Sequence, residues 1–227
     1  MITYSKDKSF KTKKLDVSYY EVDDLPFSIV QLSDLHNVQN DEPILNAIEH
    51  YNPEVVVVTG DIVGKNLEYK KSLNLLRILA SKTKVFFVSG NHERSKNRKE
   101  VLKKLNESGI IILDDKSVIY KNVTFTGLNK YRNQKHVAPP GFNILLVHEP
   151  ELTYLYEGYD IVLSGHAHGG QWRFFGKGIY STSQGLFPSL TSGINPNNTI
   201  ISRGLGDITK VPRINNKHEI IILDKRS

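Results

Sequence analysis

The chain contains no cysteine, which removes disulfides, thiolate metal ligands and a cysteine nucleophile at once. No stretch of its 227 residues approaches eighteen uninterrupted apolar positions, so no segment reads as a transmembrane helix. The lysine-rich start has no apolar stretch behind it and does not read as a secretory signal. Internal repeats and domain linkers are missing too. With 39% hydrophobic and 24% charged residues, a disordered, collagen-like or coiled-coil chain is excluded. What remains is a globular composition with apolar material for one core, and the expected setting is cytoplasmic.

The net charge of +6 is unevenly spread. Lys6, Lys8, Lys11, Lys13 and Lys14 against Asp7 make residues 1–14 +4, which leaves +2 for the rest. The expected organisation is therefore a basic tail over residues 1–20 and one domain over 21–227. Such a tail invites peripheral contact with an anionic membrane, at roughly 1 kcal/mol per lysine. A nucleic-acid partner is not expected, because its binder would spread charge over a folded face. Arg94, Lys96, Arg98, Lys99, Lys103 and Lys104 form a second basic cluster, interrupted by Glu100. It reads as a solvated helix face, with attraction of an anionic substrate as the functional alternative.

Strands and helices alternate early, and strands crowd later. Phe27–Leu32, Val55–Val58 and Lys84–Val88 read as buried strands. Helices are expected over Glu42–Tyr51, Leu67–Ala80 and Lys99–Glu107 from the spacing of their apolar residues. Further strands are expected at Ile110–Leu113, Ser117–Tyr120, Val123–Thr126, Ile144–Val147, Ile161–Leu163, Thr199–Ser202 and Glu219–Leu223. This order predicts an α/β domain, either one mixed sheet or two sheets face to face with helices outside. Gly169–Asn198 shows no convincing periodicity and reads as a long loop, functional or mobile. Its Trp172, Phe174, Phe175 and Phe187 are expected either to pack as a lid core or to meet an apolar substrate group. His50, His136 and His218 read as surface or loop residues.

The chemistry gathers where strands end. Successive apolar runs give way to Asp34-Leu35-His36, Gly60-Asp61, Gly90-Asn91-His92-Glu93, His148-Glu149 and Gly165-His166-Ala167-His168. In open α/β sheets, ligands bind outside the carboxyl ends of the strands. Any one of these residues alone is explained as a turn or core residue, but five clusters at strand ends point to one region. Imidazoles, carboxylates and an amide oxygen without sulfur suit Mn2+, Fe2+/Fe3+ or Zn2+; an oxygen-only Ca2+ or Mg2+ cage would not use four imidazoles. Gly60, Gly90 and Gly165 each precede a candidate ligand, as expected where backbone turns beside a crowded centre.

Asp34-x-His36, Gly60-Asp61-x-x-Gly64, Gly90-Asn91-His92-Glu93, His148 and Gly165-His166-x-His168 resemble, in order, the motif set of calcineurin-like metallophosphoesterases. His168-Gly-Gly-Gln171, Gln184-Gly-Leu-Phe-Pro188 and Ser202-Arg-Gly-Leu-Gly206 extend the resemblance to the bacterial YkuE/YaeI-type phosphodiesterase branch. The resemblance implies a four-layered α/β/β/α sandwich of two mixed sheets flanked by helices. It implies one ion on Asp34, His36, Asp61 and His168, and a second on Asp61, Asn91, His148 and His166, with Asp61 bridging. His92 is implied as catalytic and not a ligand.

The implied reaction is hydrolysis of a phosphodiester or pyrophosphate by a bridging hydroxide, with His92 protonating the leaving oxygen. The expected partner is a phosphorylated small-molecule or lipid-linked substrate. Alternatives are a broad phosphomonoesterase or nucleotide phosphatase, and a non-catalytic scaffold of the same fold. The complete set of seven ligands plus His92 stands against the scaffold.

Overall fold

The computed structural model describes residues 1–5, 10, 15–94, 98–129, 135–181, 183–207 and 211–226. Val55–Thr59 shows how its fold begins. Four successive valines are all fully buried, with Val56 and Val58 packed under helices and Val55 and Val57 under a second sheet. A strand covered on both faces has no reason to alternate, which is why it reads as a continuous β-branched run.

That strand lies in a seven-stranded mixed sheet. The order is Ile2–Ser5, Leu15–Val22, His218–Lys225, Ile29–Leu32, Val55–Thr59, Lys84–Val88 and Ile111–Ile112. The last four run parallel, and His218–Lys225 joins them antiparallel to Ile29–Leu32. A second sheet of six strands has the order Gly193–Asn195, Thr199–Ile201, Ile161–Ser164, Phe142–Val147, Val123–Leu128 and Lys116–Tyr120. Its four central strands are parallel and its outer two antiparallel.

Three helices cover the outer face of the first sheet: α1 (Glu42–Tyr51), α2 (Lys70–Ala80) and α3 (Arg98–Glu107). In α1, Ile44, Ala47 and Ile48 recur at helical spacing and are buried. The helix stops at Asn52, whose left-handed backbone lets its N–H cap the carbonyl of Ile48. The expected start of α2 at Leu67 moves to Lys70, because Leu67 has a φ of 62° and ends a short 3-10 turn.

Between the sheets, Ile29, Val57, Phe86 and Val88 meet Phe125, Ile144, Leu146 and Leu163. The outer face of the second sheet buries Leu145, Val147 and Val162 beneath Tyr156 and Tyr159. Its cover is a 3-10 helix, Pro150–Leu155, and a short parallel pair, His136–Val137 with Tyr156–Glu157. The α/β class and mixed sheets agree with expectation, and this fourth layer is thin.

Residues 1–20 are not simply a tail. Leu15–Val22 pairs in parallel with all of His218–Lys225, buries Leu15, Tyr20 and Val22, and carries Ile2–Ser5 on its outer edge. Leu15-Asp16-Val17-Ser18-Tyr19 alternates as a strand does, but its partner lies about two hundred residues downstream, so nothing local shows what it pairs with. The five lysines of the predicted tail lie outside the described residues. The expected loop Gly169–Asn198 holds a small antiparallel sheet of Trp172–Phe174, Lys177–Ser181 and Gly185–Leu186, besides the edge strand Gly193–Asn195. These strands are too short, and too bulged at Trp172/Arg173, to show a period. Among the described residues, no helix is long and apolar enough to cross a membrane.

Candidate metal centre

The parallel strands of both sheets deliver their C-terminal ends to one place. Ile29–Leu32 leads to Asp34 and His36, Val55–Thr59 to Asp61, and Lys84–Val88 to Asn91 and His92. From the second sheet, Phe142–Val147 leads to His148, and Ile161–Ser164 to His166 and His168. A buried hydrogen bond from Gln31 Nε2 of the first sheet to the Ser164 carbonyl of the second, at 2.8 Å, ties the sheets together beneath the centre.

All eight expected residues are brought together. Asp34, His36 and His168 form one group that could hold a metal ion, and Asp61, His148 and His166 form another. His36 Nε2 lies 3.2 Å from His168 Nε2, and His168 Nε2 lies 3.5 Å from Asp34 Oδ1. On the other side His148 Nε2 is 3.2 Å from His166 Nδ1, 3.1 Å from Asn91 Oδ1 and 3.2 Å from Asp61 Oδ2. Asp61 Oδ2 also stands 3.8 Å from His36 Nε2 and 3.9 Å from His92 Nε2. One carboxylate oxygen thus faces both groups. His92 sits at the rim, its side chain 30% exposed, and Asn91 beside it is exposed.

The donor set fits a cation. His148 Nδ1 faces the Thr59 carbonyl at 2.7 Å and must donate its proton there, so Nε2 of the neutral ring is a bare lone pair. That lone pair points at a carboxylate oxygen, an amide oxygen and another imidazole nitrogen. Likewise His36 Nδ1 donates to the Val63 carbonyl at 2.9 Å and turns Nε2 inward. The Asp61 and Asn91 oxygens repel a bare Nε2 unless a cation lies among them, and imidazole ligands must be neutral to bind one.

Electrostatics agree. Burial pulls His36 down to about 4. Burial and the Arg213 guanidinium pull His168 down to about 3. Burial acts the same way on His148, but the Asp61 carboxylate outweighs it and the ring is pushed up to about 10, so without an ion a proton becomes the cation. Burial would raise Asp61, yet the charge of His148 and its hydrogen bond hold the carboxyl well below the usual carboxylate range.

The backbone pays locally for this convergence. Asp34, His36, Asp61, His166 and His168 all have left-handed φ values, between 42° and 70°. Each costs of order 1–2 kcal/mol for a residue with a Cβ, a strain characteristic of functional sites. Gly60, at φ 87°, takes the same conformation where a Cβ would come within 2.7 Å of His148 Nδ1. Gly90 is required by crowding, since a Cβ there would overlap Asp61 Oδ1.

Glu93 closes the Gly90-Asn91-His92-Glu93 run, yet its task is not legible in the sequence. It is fully buried and accepts the backbone N–H groups of Asp61 at 2.7 Å, Val63 at 3.0 Å and Gly90 at 2.8 Å. Burial and the Asp61 charge push its carboxyl up to about 7, against those three donors. Glu93 therefore clamps the loops that carry Asp61 and Asn91. Glu93→Ala strands three buried donors at about 1–3 kcal/mol each. We expect a melting temperature lower by roughly 10 °C, given about 2–4 °C per kcal/mol at this size. An unchanged melting curve would show that the clamp carries no load.

Other supports were equally hidden. Ser33 Oγ donates to Asp34 Oδ2 at 2.6 Å, Arg213 Nη2 lies 3.2 Å from His168 Nδ1, and Asn216 Nδ2 donates to the His168 carbonyl at 2.8 Å. The basic cluster is partly neutralised. Arg94 makes a bidentate pair with Glu149, Arg98 pairs with Asp114, and Lys103 and Lys104 lie beside Glu107; Lys96 is outside the described residues. His50, His136 and His218 belong to none of the candidate metal groups; His136 is bonded to Tyr159 and His218 to Asp207.

Known proteins are similar to this chain in sequence. A metallophosphoesterase of Helicobacter pylori (strain J99) is 31% identical over 175 residues, 67% of this chain and 47% of that protein, so the chain spans about half of that relative. YkuE of Bacillus subtilis, also a metallophosphoesterase, is 27% identical over 235 residues, covering 88% of this chain and 79% of its own. Phosphodiesterase YaeI of Escherichia coli is 22% identical over 232 residues, covering 92% and 85%. The family profile described as calcineurin-like phosphoesterase matches residues 27–170, which hold every strand end and every candidate ligand above, and the chain belongs to that family.

Proposed function

We infer that the chain hydrolyses a phosphodiester at a centre of two transition-metal ions. Asp34, His36, Asp61 and His168 would hold one ion; Asp61, Asn91, His148 and His166 would hold the other. The observation that carries this reading is the placement of Asp61 Oδ2, within 4 Å of imidazole nitrogens from both groups. When bound, such a pair of ions polarises a phosphoryl group and makes water a competent nucleophile near neutral pH.

The chain's own residues do the rest. Asp34, His36, Asp61, His148 and His168 have almost no exposed side-chain surface, which keeps bulk water off the ligand atoms. The two carboxylates leave the loaded site net positive, which favours an anionic phosphate. His92 stands at the rim, its Nε2 facing the centre, where it can hold a proton for the departing oxygen. A diester, small or lipid-linked, is favoured over a monoester because YaeI, similar over most of this chain, is a phosphodiesterase.

The test is hydrolysis of bis(p-nitrophenyl) phosphate and p-nitrophenyl phosphate by purified protein before chelation, after it, and after return of Mn2+. Activity should vanish, return, and favour the diester in kcat/KM. Full activity in stripped protein contradicts the metal reading, and preference for the monoester contradicts the diester.

A further inference from the structure

The small sheet that follows His168 has two unlike faces. Arg173, Gly178 and Ser181 are buried against the body, with Arg173 Nη1 donating to the Gly169 carbonyl at 2.6 Å. The other face carries Trp172, Tyr180 and Leu186 in register across the three strands, with the Trp172 and Tyr180 rings 5.4 Å apart. Phe174 continues that face opposite Lys177, and Phe175 forms the tip of the turn. Phe174, Phe175, Leu186 and Phe187 are all more than half exposed, and Phe175 is entirely so.

Folding does not account for these side chains. Phe175 and Phe187 both occupy left-handed backbone, at φ 48° and 52°, where Gly or Asn is less strained. Phe175 and Gly176, at φ 78°, make a two-residue turn of the kind that favours Asn-Gly. An exposed Phe there adds strain and gains no contact.

We propose that this aromatic face docks on a lipid bilayer. The observations select a bilayer over a protein partner. Phe175 projects fully exposed from the tip of its turn, and a side chain that projects in this way suits a deformable, hydrated apolar layer. Trp, Tyr and Phe with an adjacent Lys is the composition favoured at membrane interfaces, where the amine remains among headgroups. Charge agrees: from Ile161 to Gly206 there is no Asp or Glu, so no carboxylate of this segment opposes an anionic surface. Arg173 leaves the metal-ligand loop only five positions after His168, so docking would bring the centre's rim toward the lipid surface. The proposal concerns binding and does not depend on which phosphoester is cleaved.

Trp172 is the only tryptophan of the chain and lies on the proposed face, so the intact protein carries its own reporter. With phosphatidylcholine vesicles containing phosphatidylglycerol, Trp172 emission should shift to the blue and be quenched by brominated acyl chains. The protein should sediment with the vesicles, less strongly when phosphatidylglycerol is omitted. Phe175→Asn with Phe187→Asn suits the left-handed backbone at both positions and should preserve circular dichroism and small-diester hydrolysis. Its vesicle partition should fall at least about tenfold, as apolar contact area is lost. Three results would overturn the proposal: wild-type emission unaffected by either vesicle, a double variant that partitions as tightly as wild type, or a wild-type dimer that the double variant abolishes without any vesicle binding.

Discussion

Asp61→Asn should lower kcat for diester hydrolysis by about 10³-fold or more, equivalent to about 4 kcal/mol of barrier. The substitution keeps the side-chain volume, and the backbone N–H of Asp61 keeps its bond to Glu93, so the fold has no reason to change. What changes is Oδ2, which alone stands within 4 Å of His36, His148 and His92. An amide there loses the negative charge both ions would share, and one of its two positions turns N–H groups toward the centre. The variant should hold at most one ion per chain. Two retained ions with near-native turnover would mean that Asp61 is not shared.

His92→Ala should separate substrates by leaving group. Its main-chain N–H donates to Asp61 Oδ1 at 2.8 Å, and that bond survives loss of the imidazole. The metal complement should therefore stay intact. A general acid contributes typically about 10²–10⁴-fold, and most when the leaving oxygen is a poor one. Alkyl or sugar diesters should slow by that factor, whereas a p-nitrophenyl diester, whose leaving group departs as an anion, should slow far less. His148→Ala should instead lose or weaken one ion and damage both substrates alike. If His92→Ala loses metal, or slows both substrates equally, the proton assignment fails.

What was legible in the sequence was local. Val55–Thr59 and Lys84–Val88 announce themselves as apolar runs ending in Gly-Asp and Gly-Asn, so strand and ligand are read in one stretch. α1 is bounded by Pro43 at its start and Asn52 at its end, and its limits agree with the sequence. Long-range pairing was not legible: Leu15–Val22 is a strand because His218–Lys225 lies beside it. Nor was the conformation of the ligands. Glycines were expected to absorb the sharp turns, but Asp34, His36, Asp61, His166 and His168 take left-handed backbone themselves, held by neighbours no pattern names. Glu93 is one such neighbour, legible as part of a motif but not as the acceptor of three buried N–H groups.

The most direct test of the central claim is an anomalous difference map from crystals of the protein loaded with Mn2+. Two peaks should appear roughly 3.5–4 Å apart, the spacing of two-metal hydrolytic sites. One should lie among Asp34, His36 and His168, the other among Asn91, His148 and His166, with Asp61 between them. A single peak, or two peaks elsewhere, would contradict the account.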